Sequence, residues 1–366
     1  MDYRPALRER SGVGEYVHEL ARHVAAAFDA GDSLTLFSAS WRDRLDPAAV
    51  PGARIVDRRV PVTLLNYAWH RLEWPPVERL AGRSFDVVHS AHPLLTPARR
   101  GARFVTIHDL DFLEHPERTA REIRRDYPAL ARAHARRASR VVVSSQATAA
   151  DVERRLGVNA ARVVLCPAGA PGWAAALRHD TPKRHVLFLG TIEPRKNVGG
   201  LLDAWARVLA LVPDALPLVL AGRATPEAGP VLARLLDAPF KDRVRHLGYV
   251  SDTERQALYA DAAALVVPSF HEGFGLTALE AMAAGVPVVA ANRGSLPELV
   301  GDAGLLVDPE DADALARALL TAAFDPAARA RLSAAGRERA ARYSWTGSAT
   351  RLIEAYRAAA AEPPAS

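Results

Sequence analysis

The stretch Ala264-Leu265-Val266-Val267-Pro268-Ser269, then His271-Glu272-Gly273-Phe274-Gly275-Leu276, then Thr277 to Ala284, Gly285 and Val286-Pro287-Val288-Val289-Ala290, decides the fold. An apolar strand meets a glycine-bearing bend, a helix follows, and a second apolar strand comes after Gly285. This is one turn of a parallel α/β sheet, with its chemistry expected at the carboxyl edge of the strand.

The same grammar continues on both sides. Val186 to Gly190 reads as a strand leading to a helix over about Val198 to Leu211, and Leu216 to Ala221 and Val244 to Gly248 read as further strands. Ser251-Asp252-Thr253-Glu254 caps a helix to Tyr259. Helices are expected over Ala312 to Ala323, Pro326 to Arg342 and Ser348 to Ala360, before a Pro- and Ala-rich tail. Upstream, Pro167 to Lys183 carries Gly169, Pro171, Gly172 and Pro182 with little apolar periodicity, the texture of a hinge between domains.

Before the hinge, strands are read at Leu34 to Phe37, Ile55 to Val60, Asp86 to His89, Phe104 to Ile107, Arg140 to Val143 and Val163 to Leu165. Helices are expected over Glu122 to Ala138 and, capped by Ser144 and Ser145, over Ala147 to Leu156. Ser11-Gly12-Val13-Gly14-Glu15-Tyr16 opens another helix, to Phe28, yet almost nothing precedes Asp2 to Pro5. The first strand is therefore expected to be very short, or the start to lie downstream of the true one. Asn66 to Leu80, with Tyr67, Trp69 and Trp74, reads as an aromatic-rich surface or lid segment.

The chain has 366 residues, 49% hydrophobic and 24% charged, enough for more than one core. A formal charge of +5 implies at most a mild bias towards anionic partners and does not call for nucleic acid. The single cysteine, Cys166, excludes an intramolecular disulfide and a thiolate metal cluster. With neither an export segment nor a run of about 18 apolar residues, the expected location is the cytoplasm, at most touching a membrane surface.

Four sets of residues carry candidate chemistry. In Gly190-Thr191-Ile192-Glu193-Pro194-Arg195-Lys196-Asn197, Arg195 and Lys196 stand beside a helix start that already favours an anion, which suits a diphosphate clamp. Glu272 and Glu280, seven residues apart, could accept hydrogen bonds from ligand hydroxyls, while Gly273 and Gly275 let the amides of Phe274 to Thr277 approach oxygens. Glu298, in Ser295-Leu296-Pro297-Glu298, either starts a short helix or braces the same pocket. His108, at the carboxyl end of a strand, is better placed for a ligand than His18, His23 or His134, which read as surface or partly packed helix residues. Asp109-Leu110-Asp111 could ligate a cation, but helix-starting acids explain it as well and no metal is expected. Gly12 and Gly14 resemble part of a dinucleotide loop, but Val17 occupies the third glycine position, which disfavours NAD.

Together these residues resemble the retaining GT-B glycosyltransferases of the family 4 type, most strongly in the second half and least between Pro61 and Ala81. The Glu-x7-Glu signature matches Glu272 and Glu280, the diphosphate-binding pair matches Arg195 and Lys196, and Gly301 and Leu305-Leu306-Val307-Asp308-Pro309 also agree. The resemblance implies two Rossmann-like domains facing each other across a cleft. Residues 1–170 would bind acceptor and 171–345 the nucleotide-sugar donor, and a helix in 346–366 would cross back to the first domain. It implies that Glu272 contacts the transferred sugar, Glu280 holds the ribose, and the amides of Phe274, Gly275 and Leu276, with Gly190 and Gly273 nearby, reach phosphate or sugar. Gly12 and Gly14 would approach both substrates, and His108 would sit near the sugar. The departure lies at the start, where a complete strand usually precedes the Asp-x-Arg-Pro segment that Asp2 to Pro5 resembles.

The expected activity is transfer of a hexosyl unit, mannosyl by family analogy, with retention and without cofactor or metal. GDP-mannose or a UDP-sugar would be the donor and a saccharide or lipid-linked saccharide the acceptor. Arg99-Arg100, Arg124-Arg125, Arg136-Arg137 and Arg154-Arg155 offer either a solvated basic face or contact with anionic lipid at the inner membrane face. Trp69 and Trp74 could stack on sugar rings or pack in the core. A nucleotide-sugar epimerase or hydrolase, or a non-catalytic nucleotide-sugar-binding protein, would share the donor motifs. Oligomeric state is open.

Overall fold

The computed structural model describes residues 1–7, 12–115, 121–177 and 183–362, the side chains of 121–125 excepted. The chain divides into two compact units, Met1–Gly169 with Ser344–Ser366, and Ala170–Tyr343. Each is built on parallel strands.

In the first unit β1 (Thr35–Ala39) pairs with β2 (Arg54–Arg58), and β3 (Val87–Ser90), β4 (Ala102–Ile107), β5 (Arg140–Val143) and β6 (Val163–Leu165) form a four-stranded sheet in that order. The short opening segment joins the two. The Met1 ammonium donates to Thr35 O at 2.8 Å and Tyr3 N to Phe37 O at 2.8 Å, while on the other side Asp2 N donates to His89 O at 2.8 Å. Met1 to Tyr3 thus do the work of the central strand that the sequence left in doubt.

Helices α1 (Val13–Ala27), α2 (Val62–Arg71), α3 (Val77–Ala81), α4 (Asp111–Glu114), α5 (Arg121–Arg137) and α6 (Gln146–Asp151) belong to this unit. Asn66 to Leu80, expected as a surface or lid segment, is helical over α2 and α3 and only partly superficial. Trp69 is fully buried, its Nε1–H donating to Pro75 O at 2.9 Å, while Tyr67 and Trp74 are exposed. His18 and His134 are also buried rather than superficial, bonded to the Tyr3 hydroxyl at 2.6 Å and the Leu95 amide at 2.8 Å.

The second unit holds β7 (His185–Leu189), β8 (Leu218–Ala221), β9 (Val244–Gly248), β10 (Ala262–Val267), β11 (Val288–Ala291) and β12 (Leu305–Val307), in the order β12-β11-β10-β7-β8-β9. Its helices are α7 (Val198–Leu211), α8 (Gly229–Ala233), α9 (Asp252–Asp261), α10 (Leu276–Ala283), α11 (Leu296–Val300), α12 (Ala312–Phe324) and α13 (Pro326–Ala340). Trp205 of α7, fully buried, packs in one core with Leu218, Leu220, Val266 and Leu319. The winding runs outward from β7 through β8 to β9, then returns to lay β10 on the other side of β7. The order thus reverses between β7 and β10, the switch point at whose carboxyl ends ligands bind in open α/β sheets.

After α13 the chain rejoins the first unit as α14 (Trp345–Ala361), which packs on α1. Its buried face carries Trp345, Ala349, Leu352, Ile353 and Tyr356. The Trp345 ring meets Tyr16 edge-on at 5.6 Å, and the Ser348 hydroxyl donates to Pro167 O at 2.6 Å.

Candidate active site at the switch point of the second sheet

Two loops build the site. The β7 loop ends in a 3-10 turn, Pro194–Lys196, and Asn197, at φ 52°, caps α7 by accepting from the Gly200 amide at 3.2 Å. Arg195 and Lys196 are thereby fixed immediately before a helix start. The loop after β10 is stitched to them: Phe270 N donates to Arg195 O and Arg195 Nη1 to His271 O, each at 2.9 Å.

Glu272 is only 9% exposed, and its bend is held from below, with Ser295 donating to Glu272 O through its hydroxyl at 2.9 Å. Lys196 Nζ lies 2.6 Å and the Ser269 hydroxyl 2.7 Å from Glu272 Oε1, and Arg195 Nη1 lies 3.5 Å from Oε2. Burial pushes the Glu272 carboxyl up, but Lys196, Arg195 and these hydrogen bonds outweigh it and hold the group below the usual range. Arg195 also donates to Glu193 Oε1 at 2.9 Å through Nη2. Two cations thus face two carboxylates, a cluster that can take an anionic ligand by exchanging internal partners for external ones.

The helix that follows requires glycine at its cap. Gly275 stands at φ +101°, and a Cβ there would sit 2.9 Å from Leu296 Cδ2 and 3.1 Å from Leu299 Cδ2. The first turn of α10 thus rests on α11, with Gly273 buried and Phe274 and Leu276 partly exposed beside it. Gly190, just after β7, donates its amide to Ala221 O at 2.9 Å.

Glu280, on α10, is 5% exposed and is already partnered. Arg255 Nη1 donates to its Oε1 at 2.6 Å and the Tyr259 hydroxyl to its Oε2 at 2.8 Å. Burial raises the Glu280 pKa, with Arg255 and Tyr259 opposing. Glu298 ties α11 to the end of α13, its carbonyl accepting from Arg339 Nη2 at 2.6 Å and the Tyr343 hydroxyl at 3.3 Å.

Sequence reasoning singled out Arg195, Lys196 and Glu272, and the fold brings them together. It missed Ser269, Ser295, Arg255 and Tyr259. Ser269 gave no signal and Ser295 only its place beside Glu298, but Arg255 and Tyr259, four apart on a capped helix, share the face that meets Glu280.

In the first unit His108 ends β4, half-buried, with its ring edge-on to Tyr16 at 5.2 Å and Nε2 3.4 Å from Ala91 O. Burial lowers its pKa to about 4, so it is neutral at pH 7. Gly12, at φ +52°, caps α1, and Gly14 is buried in its first turn; Ser11 lies outside the described residues. Asp109 Oδ1 accepts from Asp111 N at 3.3 Å, a local turn. Among the described residues no group of three His, Cys, Asp or Glu could hold a metal ion, and no helix is long and apolar enough to cross a membrane. Several basic pairs have local partners: Arg137 bonds Glu73, Arg154 and Arg155 bond Asp151, and Arg136 bonds Leu156 O. The side chains of Arg124 and Arg125 lie outside the described residues.

The family model described as glycosyl transferases group 1 matches residues 171–339, and that for glycosyltransferase family 4 matches residues 10–171. The O-antigen chain mannosyltransferase B of Escherichia coli is 31% identical over 95% of this chain and 96% of its own. Among solved structures, sucrose-phosphate synthase from Thermosynechococcus elongatus superposes with a TM-score of 0.74 at 25% identity, covering 95% of this chain and 93% of that one. HepE of Anabaena, solved in complex with UDP and glucose, gives a TM-score of 0.71 at 20% identity, covering 95% and 96%.

Proposed function

Since the chain belongs to the family 4 glycosyltransferases and has their GT-B fold, we propose that it transfers a hexosyl unit, with retention, from a nucleotide diphosphate sugar to a saccharide or lipid-linked saccharide. That it is a glycosyltransferase rests on the family; the donor, acceptor and stereochemistry are the proposal. The name of the Escherichia coli relative favours mannose as the sugar, and GDP-mannose is the first donor to try. The UDP complex of HepE makes a UDP-sugar the second.

The observation that carries this reading is the contact of Lys196 and Arg195 with the buried, ionised Glu272 at the switch point. In the proposed chemistry the two cations meet the charge that accumulates on the departing diphosphate. They stabilise it most in the transition state, where that charge is largest. The amides of Phe274, Gly275 and Leu276, with Gly190 and Gly273, border the phosphate and sugar. Glu272 orients the transferred sugar through its hydroxyls, and Glu280 accepts from the ribose. No side chain of the cluster is set up as a covalent nucleophile, so substitution on the leaving-group face, with a phosphate oxygen taking the acceptor proton, is the step proposed. The first unit is assigned the acceptor, with Gly12, Gly14 and the neutral His108 at the carboxyl edge of its sheet.

The test is an NMR time course with GDP-mannose or UDP-glucose and a mannoside acceptor. An α-linked product from the α-configured donor is expected. A β-linked product would refute retention. Free sugar released at the same rate with and without acceptor would replace the transferase by a hydrolase.

A further inference from the structure

Helix α9 has a built N-terminus: the Ser251 hydroxyl accepts from Glu254 N at 3.3 Å while Glu254 Oε2 accepts from Ser251 N at 2.7 Å, the two halves of a capping box. That cap sets the rotation of a helix on which Arg255 and Tyr259, at i and i+4, face the same way. Both reach α10 and close on one carboxylate, Arg255 Nη1 on Glu280 Oε1 at 2.6 Å and the Tyr259 hydroxyl on Oε2 at 2.8 Å. The Tyr259 hydroxyl also lies 3.2 Å from Thr277 O. Behind them stands Trp173, whose ring is stacked on Tyr259 with centroids 5.6 Å apart and lies under the Arg255 guanidinium at 5.8 Å.

We propose that Arg255 and Tyr259 are positioning residues that hold the Glu280 carboxylate in a single orientation for the ribose hydroxyls of the donor nucleotide. An ionised carboxylate offers about four lone-pair sites. One bond to each oxygen fixes the plane and leaves the remaining sites for two adjacent hydroxyls. Glu280 is buried on α10 among Ala278, Leu279, Ala281 and Met282, so an unheld carboxylate there would be costly and would turn or take up a proton. Trp173 acts one step further back. Its flat face limits the guanidinium and phenol to the edge that meets Glu280.

The inference rests on the donor-site reading given above, specifically on Glu280 as the ribose acceptor. The test measures binding of UDP and GDP, and of their 2′,3′-dideoxy counterparts, by calorimetry to the wild type, Arg255→Leu, Arg255→Lys and Tyr259→Phe. The nucleotide the wild type prefers is then followed. Tyr259→Phe keeps the ring on Trp173 and removes only the hydroxyl, so it remains informative if Arg255→Leu does not fold.

Loss of a charge-assisted positioning bond predicts roughly tenfold weaker binding of the ribonucleotide in Arg255→Leu, a smaller loss in Tyr259→Phe and partial recovery in Arg255→Lys. Affinity for the dideoxy nucleotide should stay at the wild-type value. In turnover, the donor KM should rise while kcat changes little. Equal weakening of ribo- and dideoxynucleotides would mean that the two residues only pack α9 on α10, and unchanged binding of both would mean that Glu280 needs no holding; either overturns the inference. If the wild type itself bound ribo- and dideoxynucleotides alike, the assignment of Glu280 to the ribose would fall, and the inference with it.

Discussion

Glu272 neutralises the cations beside it. With Lys196 Nζ 2.6 Å from one oxygen and Arg195 Nη1 3.5 Å from the other, it competes with any diphosphate for the same positive charge. Glu272→Gln should therefore bind free UDP or GDP as tightly as the wild type or up to about tenfold more tightly, measured by calorimetry, while turnover falls by at least about a hundredfold. Weaker nucleotide binding in this variant would show that the carboxylate supports the clamp rather than opposing it. The residues that matter most were legible from their place between a strand and a helix. Arg195-Lys196 stand side by side just before a helix start, Lys196 being one of three lysines in the chain, and Glu280 sits in an alanine-rich helix. What could not be read was the company they keep. Ser269 and Ser295 are ordinary residues in sequence, and only the three-dimensional meeting of loops gives them their partners.

At the level of elements, the site depends on two helix starts with left-handed caps, Asn197 before α7 and Gly275 before α10. Gly275→Ala would place a Cβ 2.9 Å from Leu296 Cδ2 on a backbone at φ +101°. The expected cost is about 1–3 kcal/mol in urea unfolding, with a loss of nucleotide binding at temperatures where the variant is still folded. A variant of wild-type stability would mean that α10 does not rest on α11 as described. Strands were legible as apolar runs between glycine and proline punctuation, and the α/β alternation fixed their parallel pairing. Over Asn66 to Leu80 the sequence left surface and core open, because aromatic content says nothing about direction. Trp69 points inward and Tyr67 outward on the same helix, α2. The opening strand, expected as very short or lying upstream, could not be read further because three residues are too few for a periodicity, although their backbone groups pair on both sides.

Across the whole molecule, the two units carry their ionisable burdens differently. Burial holds His70 and His89 down to about 3 and His108 and His134 to about 4, and all four lie in the first unit. An unfolded histidine titrates near 6.5, so between about pH 6.5 and 4 the unfolded chain binds protons that the folded unit does not. Stability of the first unit should be full above about pH 6.5 and fall as the pH drops towards 4, read as a declining Tm for the transition that reports on Trp69 and Trp345. A Tm independent of pH across that window would mean that these imidazoles are not buried neutral. The two-unit plan was legible from the hinge texture of Pro167 to Lys183, whereas the burial of His18, His89 and His134 was not, since nothing in a helix or strand marks which face a histidine takes.

The measurement that bears most directly on the proposed donor site is calorimetric titration of GDP-mannose and UDP-glucose into the wild type and into Lys196→Ala. One of the two sugars should bind in the micromolar range, and Lys196→Ala should weaken it about tenfold or more while leaving Tm within a few degrees of the wild type. Binding that is unchanged in Lys196→Ala, or absent for every nucleotide sugar in well-folded protein, would contradict the assignment of the switch-point cluster as the donor diphosphate site.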